Sequence, residues 1–399
     1  MLETSKKTAI VRRVPAVPGG NSLGQGIFGF WWQVLGNILV VCGQADQAIR
    51  MLSRAVEWDK GNNKLRLTLA KLLLKQGRTG DAIHHLQRTV AALGPDANLL
   101  YWLGQAYSIT GNQQATLRAF ERAGSLAPAN PEVWKAKAKV LRQQGNFPEA
   151  LICLDKATTA DPRDFAALNE KGLVLMELNR IEDALLCFEG CLKLRVRDVD
   201  ALANKGICLG KLGRDFEAMI ALKAALKYGP PSAAIYNNLA VALSNLGCFQ
   251  EAVDAYKKAL ELAPGDWEVQ SNLASALGKC GRFDEALVYF DRVLDANPRD
   301  VFVLNNVGRC FEELHKRDRA LICYRQALEF EPGNRTVTFN LGACLVSLGK
   351  LNEARQMLHA HLEGDAEDRK VWGLLGEIYD QMQKYDLAID CYNKALGLE

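Results

Sequence analysis

RKVWGLLGEIYDQMQKYDLAIDCYNKAL, residues 369–396, is the stretch from which the fold is read. Trp372, Leu375, Gly376 and Tyr379 stand at i, i+3, i+4 and i+7, the spacing that gathers four side chains on one face of a helix. Ala388, Tyr392 and Ala395 repeat that spacing after a polar break. The unit is two short amphipathic helices joined by a tight turn, and such a hairpin cannot bury its apolar faces alone.

Stepping outward from it shows how the burial is completed. From Gly36, steps of 34 residues land on Ala70, Gly104, Ala138, Gly172, Gly206, Ala240, Ala274, Gly308, Gly342 and Gly376. From Ala48 they land on Ala82, Thr116, Ala150, Ala184, Ala218, Ala252, Ala286, Ala320, Ala354 and Ala388. Only Thr116 departs from Gly or Ala. Small residues at both phases let the two helices of each unit approach closely. Gly43, Gly77, Gly111, Gly145, Gly213, Gly247, Gly281 and Gly349 mark the turn between helices, with Asn179 as a substitute in one unit. Pro128, Pro162, Pro230, Pro264, Pro298 and Pro332 follow the second helix, which proline cannot continue.

These residues resemble the tetratricopeptide-repeat (TPR) family, whose signature is nearly whole in Trp372, Leu375, Gly376, Tyr379, Ala388, Tyr392 and Ala395. Eleven units run in one register, starting near residues 29, 63, 97, 131, 165, 199, 233, 267, 301, 335 and 369. The resemblance implies an all-α, right-handed superhelical solenoid of helix-turn-helix units. Its first (A) helices would line a concave groove and its second (B) helices would face outward. Residues 1–28 read as an irregular basic arm ahead of a solenoid over 29–399.

Net charge is +3, from 49 basic and 46 acidic residues, so no global field points to nucleic acid. Eleven cysteines form no CxxC pair; Cys208, Cys310 and Cys344 share one repeat phase, and Cys153, Cys187, Cys323 and Cys391 another. That pattern is packing by reduced thiols in a reducing compartment, and the reading places the chain in the cytoplasm. Lys6, Lys7, Arg12 and Arg13 precede an uncharged stretch from Val14 to Ala45, which is similar to a basic n-region and apolar segment. The apolar run is short for a bilayer and contains Gln33 and Asn37, so membrane contact is the minor alternative.

No catalytic constellation stands out. Gly210-Lys211, Gly278-Lys279 and Gly349-Lys350 lack the spacing of a phosphate loop, and His84-His85 and His359-x-His361 lack further ligands for zinc. No cofactor and no enzymatic activity are expected.

A binding function has candidates on the A helices. Lys64, Lys71, Lys75, Lys135, Lys139 and Arg142 form a basic stretch in the second to fourth units, suited to an acidic peptide or a C-terminal carboxylate. Glu170 stands where the carboxylate clamp of chaperone-binding family members needs asparagine, which argues against that ligand. Asn204, Asn238, Asn272, Asn306 and Asn340 occupy one phase in five successive units. They are similar to the asparagine ladder in the repeat region of O-linked N-acetylglucosamine transferases, where amides grip polypeptide backbone. Asn237, Asn305, Phe302 and Phe339 lie beside the ladder, and Glu312, Glu313 and Glu377 turn the far end acidic.

Both ends are apolar: Phe30, Trp31 and Val34 in the first helix, Leu396 and Leu398 at the last. They are expected to self-associate or to dock a partner, because terminal repeats expose a face meant for a neighbour. The leading reading is a protein-interaction scaffold or adaptor with an extended peptide in its groove. The alternatives are the recognition region of a larger enzyme such as a glycosyltransferase, and a self-assembling structural element.

Overall fold

A computed structural model describes residues 22–59, 61–364 and 366–398, with the side chains of residues 22–30 and Asn63 outside that description. Among the described residues there are twenty-two helices and no strand. They fall into two units, divided between Arg180 and Ile181.

The first unit holds α1 (Ser22–Val41), α2 (Ala45–Trp58), α3 (Asn63–Lys75), α4 (Thr79–Leu93) and α5 (Ala97–Ile109). It continues with α6 (Gln113–Leu126), α7 (Pro131–Gln143), α8 (Phe147–Ala160) and α9 (Phe165–Glu177). The second unit opens with α10 (Ile181–Leu194), α11 (Val199–Lys211), α12 (Asp215–Tyr228), α13 (Ala233–Asn245) and α14 (Phe249–Leu262). Next come α15 (Trp267–Lys279), α16 (Phe283–Ala296), α17 (Val301–Glu313) and α18 (Arg317–Phe330). The unit closes with α19 (Arg335–Ser347), α20 (Leu351–Gly364), α21 (Arg369–Gln381) and α22 (Tyr385–Leu396). Odd-numbered helices are the A helices. Within each unit a helix packs on its sequence neighbours, and successive A helices also touch. This is the helix-pair solenoid expected of TPR units.

Boundaries follow from caps. Asn62, Asp96, Asn130, Asp164, Asp198, Asp266, Asp300, Asn334 and Asp368 each accept from a backbone N–H in the first turn of an A helix. Several B helices lack such a cap and instead carry an Arg–carboxylate pair across their first turn, as in Arg78–Asp81 and Arg214–Glu217 at 2.6 and 2.7 Å. The turn between helices needs the left-handed conformation, which Gly145 adopts at φ 74°. Asn179 takes the same conformation at φ 56°, as its position implied, and His315 and Gln383 join it at φ 58° and 60°.

The small-residue phases are the core. Ala48, Ala82, Ala150, Ala184, Ala218, Ala252, Ala286, Ala320 and Ala354 are wholly buried. Thr116 is buried with them because its hydroxyl donates to the Asn112 carbonyl of its own helix at 2.8 Å. Tyr324, Phe120, Phe188 and Phe290 are the largest fully buried side chains, and truncating any of them to alanine would cost about 3–5 kcal/mol.

The N-terminal boundary is corrected. α1 begins at Ser22, so residues 22–28 of the expected arm are helical. No proline follows Pro18 before Val41, so no residue in 22–28 is a proline that would stop a helix. The remaining arm, with Lys6, Lys7, Arg12 and Arg13, lies outside the described residues, as does the side chain of Phe30. No described helix is long and apolar enough to cross a membrane.

Candidate functional site

The two candidate surfaces fall in different units. In the first unit the six basic residues split by environment. Lys64, Lys75 and Lys139 are exposed. Lys71 lies 4.7 Å from the Trp102 ring centroid, a cation–π contact. Lys135 pairs with Glu132 at 2.7 Å and Asp164 at 2.6 Å, and Arg142 with Glu170 at 3.3 Å. Burial acts to lower the Lys135 pKa, but the bonds to Asp164 and Glu132 outweigh it and raise the ammonium above its ordinary range. Half of the stretch is thus already engaged within the protein, and Lys135 cross-links α7 to the cap of α9.

The asparagines lie in the second unit, on α11, α13, α15, α17 and α19, and all are half-buried. They are not equivalent. Asn238 donates to the Ala234 carbonyl of its own helix at 2.8 Å. Asn340 donates to Asn305 Oδ1 at 2.8 Å, joining α19 to α17 through a buried amide. Asn306 keeps a buried Nδ2 without a hydrogen-bond partner, and so does the Ser275 hydroxyl one helix earlier.

Those two unsatisfied groups line the same cleft. It has a volume of about 450 Å³ and lies between α15, α16 and α17. Phe302, 61% exposed, and Phe283 supply apolar surface, while Gly278 leaves its wall open on the α15 side. Lys279, Arg309 and Glu313 are exposed at its edge. A buried donor and a buried hydroxyl without partners are costly to keep unless something else satisfies them, and a cleft beside them gives that partner access. The geometry suits an extended chain: an apolar side chain against the phenyl rings, main-chain groups on Asn306 and Ser275, charged side chains at the edge.

Asn306 and Phe302 were visible in the sequence. Ser275 and Arg309 were not singled out, and Gly278-Lys279 was weighed only as a phosphate loop, although Ser275 and Arg309 share the phase of Lys71 and Lys139, and Lys279 that of Lys75. Reading the same A-helix phases in every repeat would have found them. At the acidic end, Glu312 is not at liberty for a ligand, because its carboxylate accepts from the Tyr324 hydroxyl at 2.6 Å. Glu313 and Glu377 are exposed.

Other chemistry-bearing groups are occupied structurally. His359 meets the Tyr379 hydroxyl at 2.8 Å and His361 meets Asp368 at 3.3 Å, so the two imidazoles serve different partners. No cysteine is in a disulfide, and Cys153, Cys187, Cys191, Cys208, Cys310, Cys344 and Cys391 are buried. Burial pushes the thiol pKa of Cys191 up to about 12 and those of Cys208, Cys310, Cys323 and Cys344 up to about 11. At the ends, Trp31, Ile38, Leu396 and Leu398 are exposed and Val34 is half-buried.

No curated protein matches the sequence. Among solved structures, a tetratricopeptide repeat protein from Parabacteroides merdae is similar at 17% identity and a TM-score of 0.47, over 62% of this chain and 98% of that one. The hetero-tetramer Cut9–Hcn1 of the APC/C is similar at 14% identity and a TM-score of 0.48, over 93% of each chain. YrrB, described as a TPR protein with an unusual peptide-binding site, is similar at 23% identity and a TM-score of 0.42, over 46% of this chain and 95% of that one. At family level, residues 271–399 match the cilia and flagella-associated protein 70 middle TPR-like domain. Residues 44–277, more than half of the chain, match the C-terminal domain of the same protein. The chain belongs to the cilia and flagella-associated protein 70 C-terminal-domain family, a TPR family.

Proposed function

We propose that this chain is a non-catalytic scaffold that holds an extended polypeptide segment on the A helices of its second unit. The observation that carries the reading is the α15–α17 cleft, where Asn306 Nδ2 and Ser275 Oγ lack partners beside the exposed Phe302. The ligand main chain accepts a hydrogen bond from Asn306 and donates one to Ser275, and an apolar ligand side chain covers Phe302 and Phe283. Lys279 and Arg309 favour an acidic residue next to that anchor, with Glu313 taking a basic one further along. In the first unit, the exposed Lys64, Lys75 and Lys139 are a separate candidate surface for an acidic segment. The name of the matched family supports a scaffold in cilia or flagella rather than in bulk cytoplasm.

Selection from a displayed library of unstructured peptides tests the reading. Peptides enriched on the native chain should carry an apolar anchor flanked by acidic residues, and should bind Phe302→Ala and Asn306→Leu at least tenfold more weakly. Enriched peptides that bind both variants as well as the native chain would remove this face from the account.

A further inference from the structure

A second site lies in the second repeat, away from the A-helix cleft and independent of the reading above. One position facing the core there holds a cation. The phase that carries Leu100, Trp134, Leu168, Leu202, Tyr236 and Leu304 in other repeats carries Arg66 on α3. Arg66 is only 7% exposed. Among the described residues it donates no hydrogen bond and enters no ion pair. Most of the Arg66 side chain is covered while its guanidinium opens on a cavity, and a cation so placed with no anion bound by the protein suits a counter-ion that arrives from outside.

The cavity is there. It has a volume of about 290 Å³ and lies between α2, α3 and α4, with Arg66, Arg78, Arg88 and His85 among its lining. Two carboxylates also line it. Asp81 is taken up by Arg78, whose Nε and Nη2 both donate to Asp81 Oδ2 at 2.9 and 2.6 Å. Glu57 is exposed and forms no ion pair among the described residues, so Arg66 and Arg88 keep their charge uncompensated. The field inside is correspondingly positive: burial lowers the His85 pKa first, and His84, Arg66 and Arg88 lower it further, with Asp81 alone opposing among the carboxylates. A neutral imidazole retains one N–H to donate.

We propose that this cavity binds a phosphoryl group carried on a partner protein segment, with Arg66 at its buried end and Arg88 at its mouth. A dianionic phosphoryl group matches two uncompensated guanidinium groups, where a single carboxylate would leave one of them unmatched. The ligand side chain enters between two B helices, so a segment in the A-helix cleft of the second unit does not compete with it.

The experiment uses the full chain and two probes at matched ionic strength: inorganic phosphate, and a Gly-Ala peptide carrying one phosphoserine, with its serine and glutamate counterparts. Binding is read by calorimetry and by the thermal shift of the first repeats. The phosphoserine peptide should bind more tightly than phosphate and at least tenfold more tightly than the glutamate peptide. Arg66→Leu installs the residue that four other repeats use; it should fold, unfold at higher temperature than the native chain without ligand, and lose binding at least tenfold. Glu57→Gln should tighten binding, because it removes a rim charge of the ligand's sign. Equal binding by native chain and Arg66→Leu would overturn the site, as would no binding of either probe. Binding of inorganic phosphate with none of the phosphopeptide would overturn the protein-borne ligand. Loosened binding in Glu57→Gln would show Glu57 to be a participant and overturn the charge argument.

Discussion

Two glycines one turn apart on α11 separate packing from helix propensity. A Cβ on Gly206 would sit 2.5 Å from Leu222 Cγ, 2.9 Å from Leu222 Cδ2 and 3.3 Å from the Ala218 carbonyl oxygen. A Cβ on Gly210 meets nothing within 4 Å. Both lie inside the helix, so Gly→Ala gains the same propensity in each, about 1 kcal/mol. Gly206→Ala adds an overpacking cost of about 1–3 kcal/mol, because carbon contacts settle near 3.5–4.0 Å. Leu222 is 1% exposed and has little room to retreat, although the buried Ala70, at the same phase and followed by the buried Leu86, shows that another repeat accepts alanine there. The cost should therefore fall in the lower half of that range. Gly210→Ala is expected to stabilise by about 0.5–1 kcal/mol, and Gly206→Ala to be neutral to destabilising by about 1 kcal/mol. Repeat arrays need not unfold in one step, so the readout is native-state hydrogen exchange at α11 and α12 amides rather than a single melting curve. Slowing of exchange by the same amount in both variants would refute the argument that glycine at this phase is there for close helix approach.

Asp164→Asn keeps a capping side chain on α9 but deletes the pair with Lys135. In the native fold, burial acts to raise the Asp164 pKa, while the Lys135 bond and the Ala167 N–H outweigh it and hold the carboxyl below its usual range. Its contribution is therefore present above the ordinary carboxylate pKa of about 4 and lost as pH falls through the lower folded value; urea midpoints across acid pH should be flatter in the variant. Asn340→Ala leaves the buried Asn305 oxygen without its donor, an expected loss of about 1–3 kcal/mol, which Asn305→Val should partly restore when combined with it. Brief iodoacetamide treatment at neutral pH, read by peptide mass spectrometry, should label the exposed Cys42 and Cys248 well before Cys191, Cys208, Cys310 or Cys344, which burial keeps protonated.

The architecture was legible because each repeat states it again. A 34-residue register of small residues, turn glycines and prolines leaves helix pairs as the fold that buries them all. Thr116 broke the alanine phase without breaking the packing, since a hydroxyl can return to its own helix. The expected arm ended at residue 28 because it was set by the repeat register, whereas the helix α1 begins at Ser22. The site was only half legible. Phase reveals which side chains share a face, but not which of them are already spent: Lys135 on Asp164, Arg142 on Glu170, Asn340 on Asn305 and Glu312 on Tyr324. Those partners come from neighbouring helices, and no periodicity within one helix can name them. Arg66 was missed for the opposite reason, as the one charged residue at a mostly apolar phase that also holds Gln270 and Thr338.

Site-specific photo-crosslinking in ciliated or flagellated cells tests the central claim most directly. A benzophenone amino acid would replace Phe302 at the cleft in one protein and Ile322, exposed on the B helix α18, in another. The account predicts that position 302 captures a polypeptide segment, that position 322 does not capture the same one, and that Asn306→Leu abolishes the capture. Equal capture of that segment from both positions, or capture from 322 alone, would contradict it.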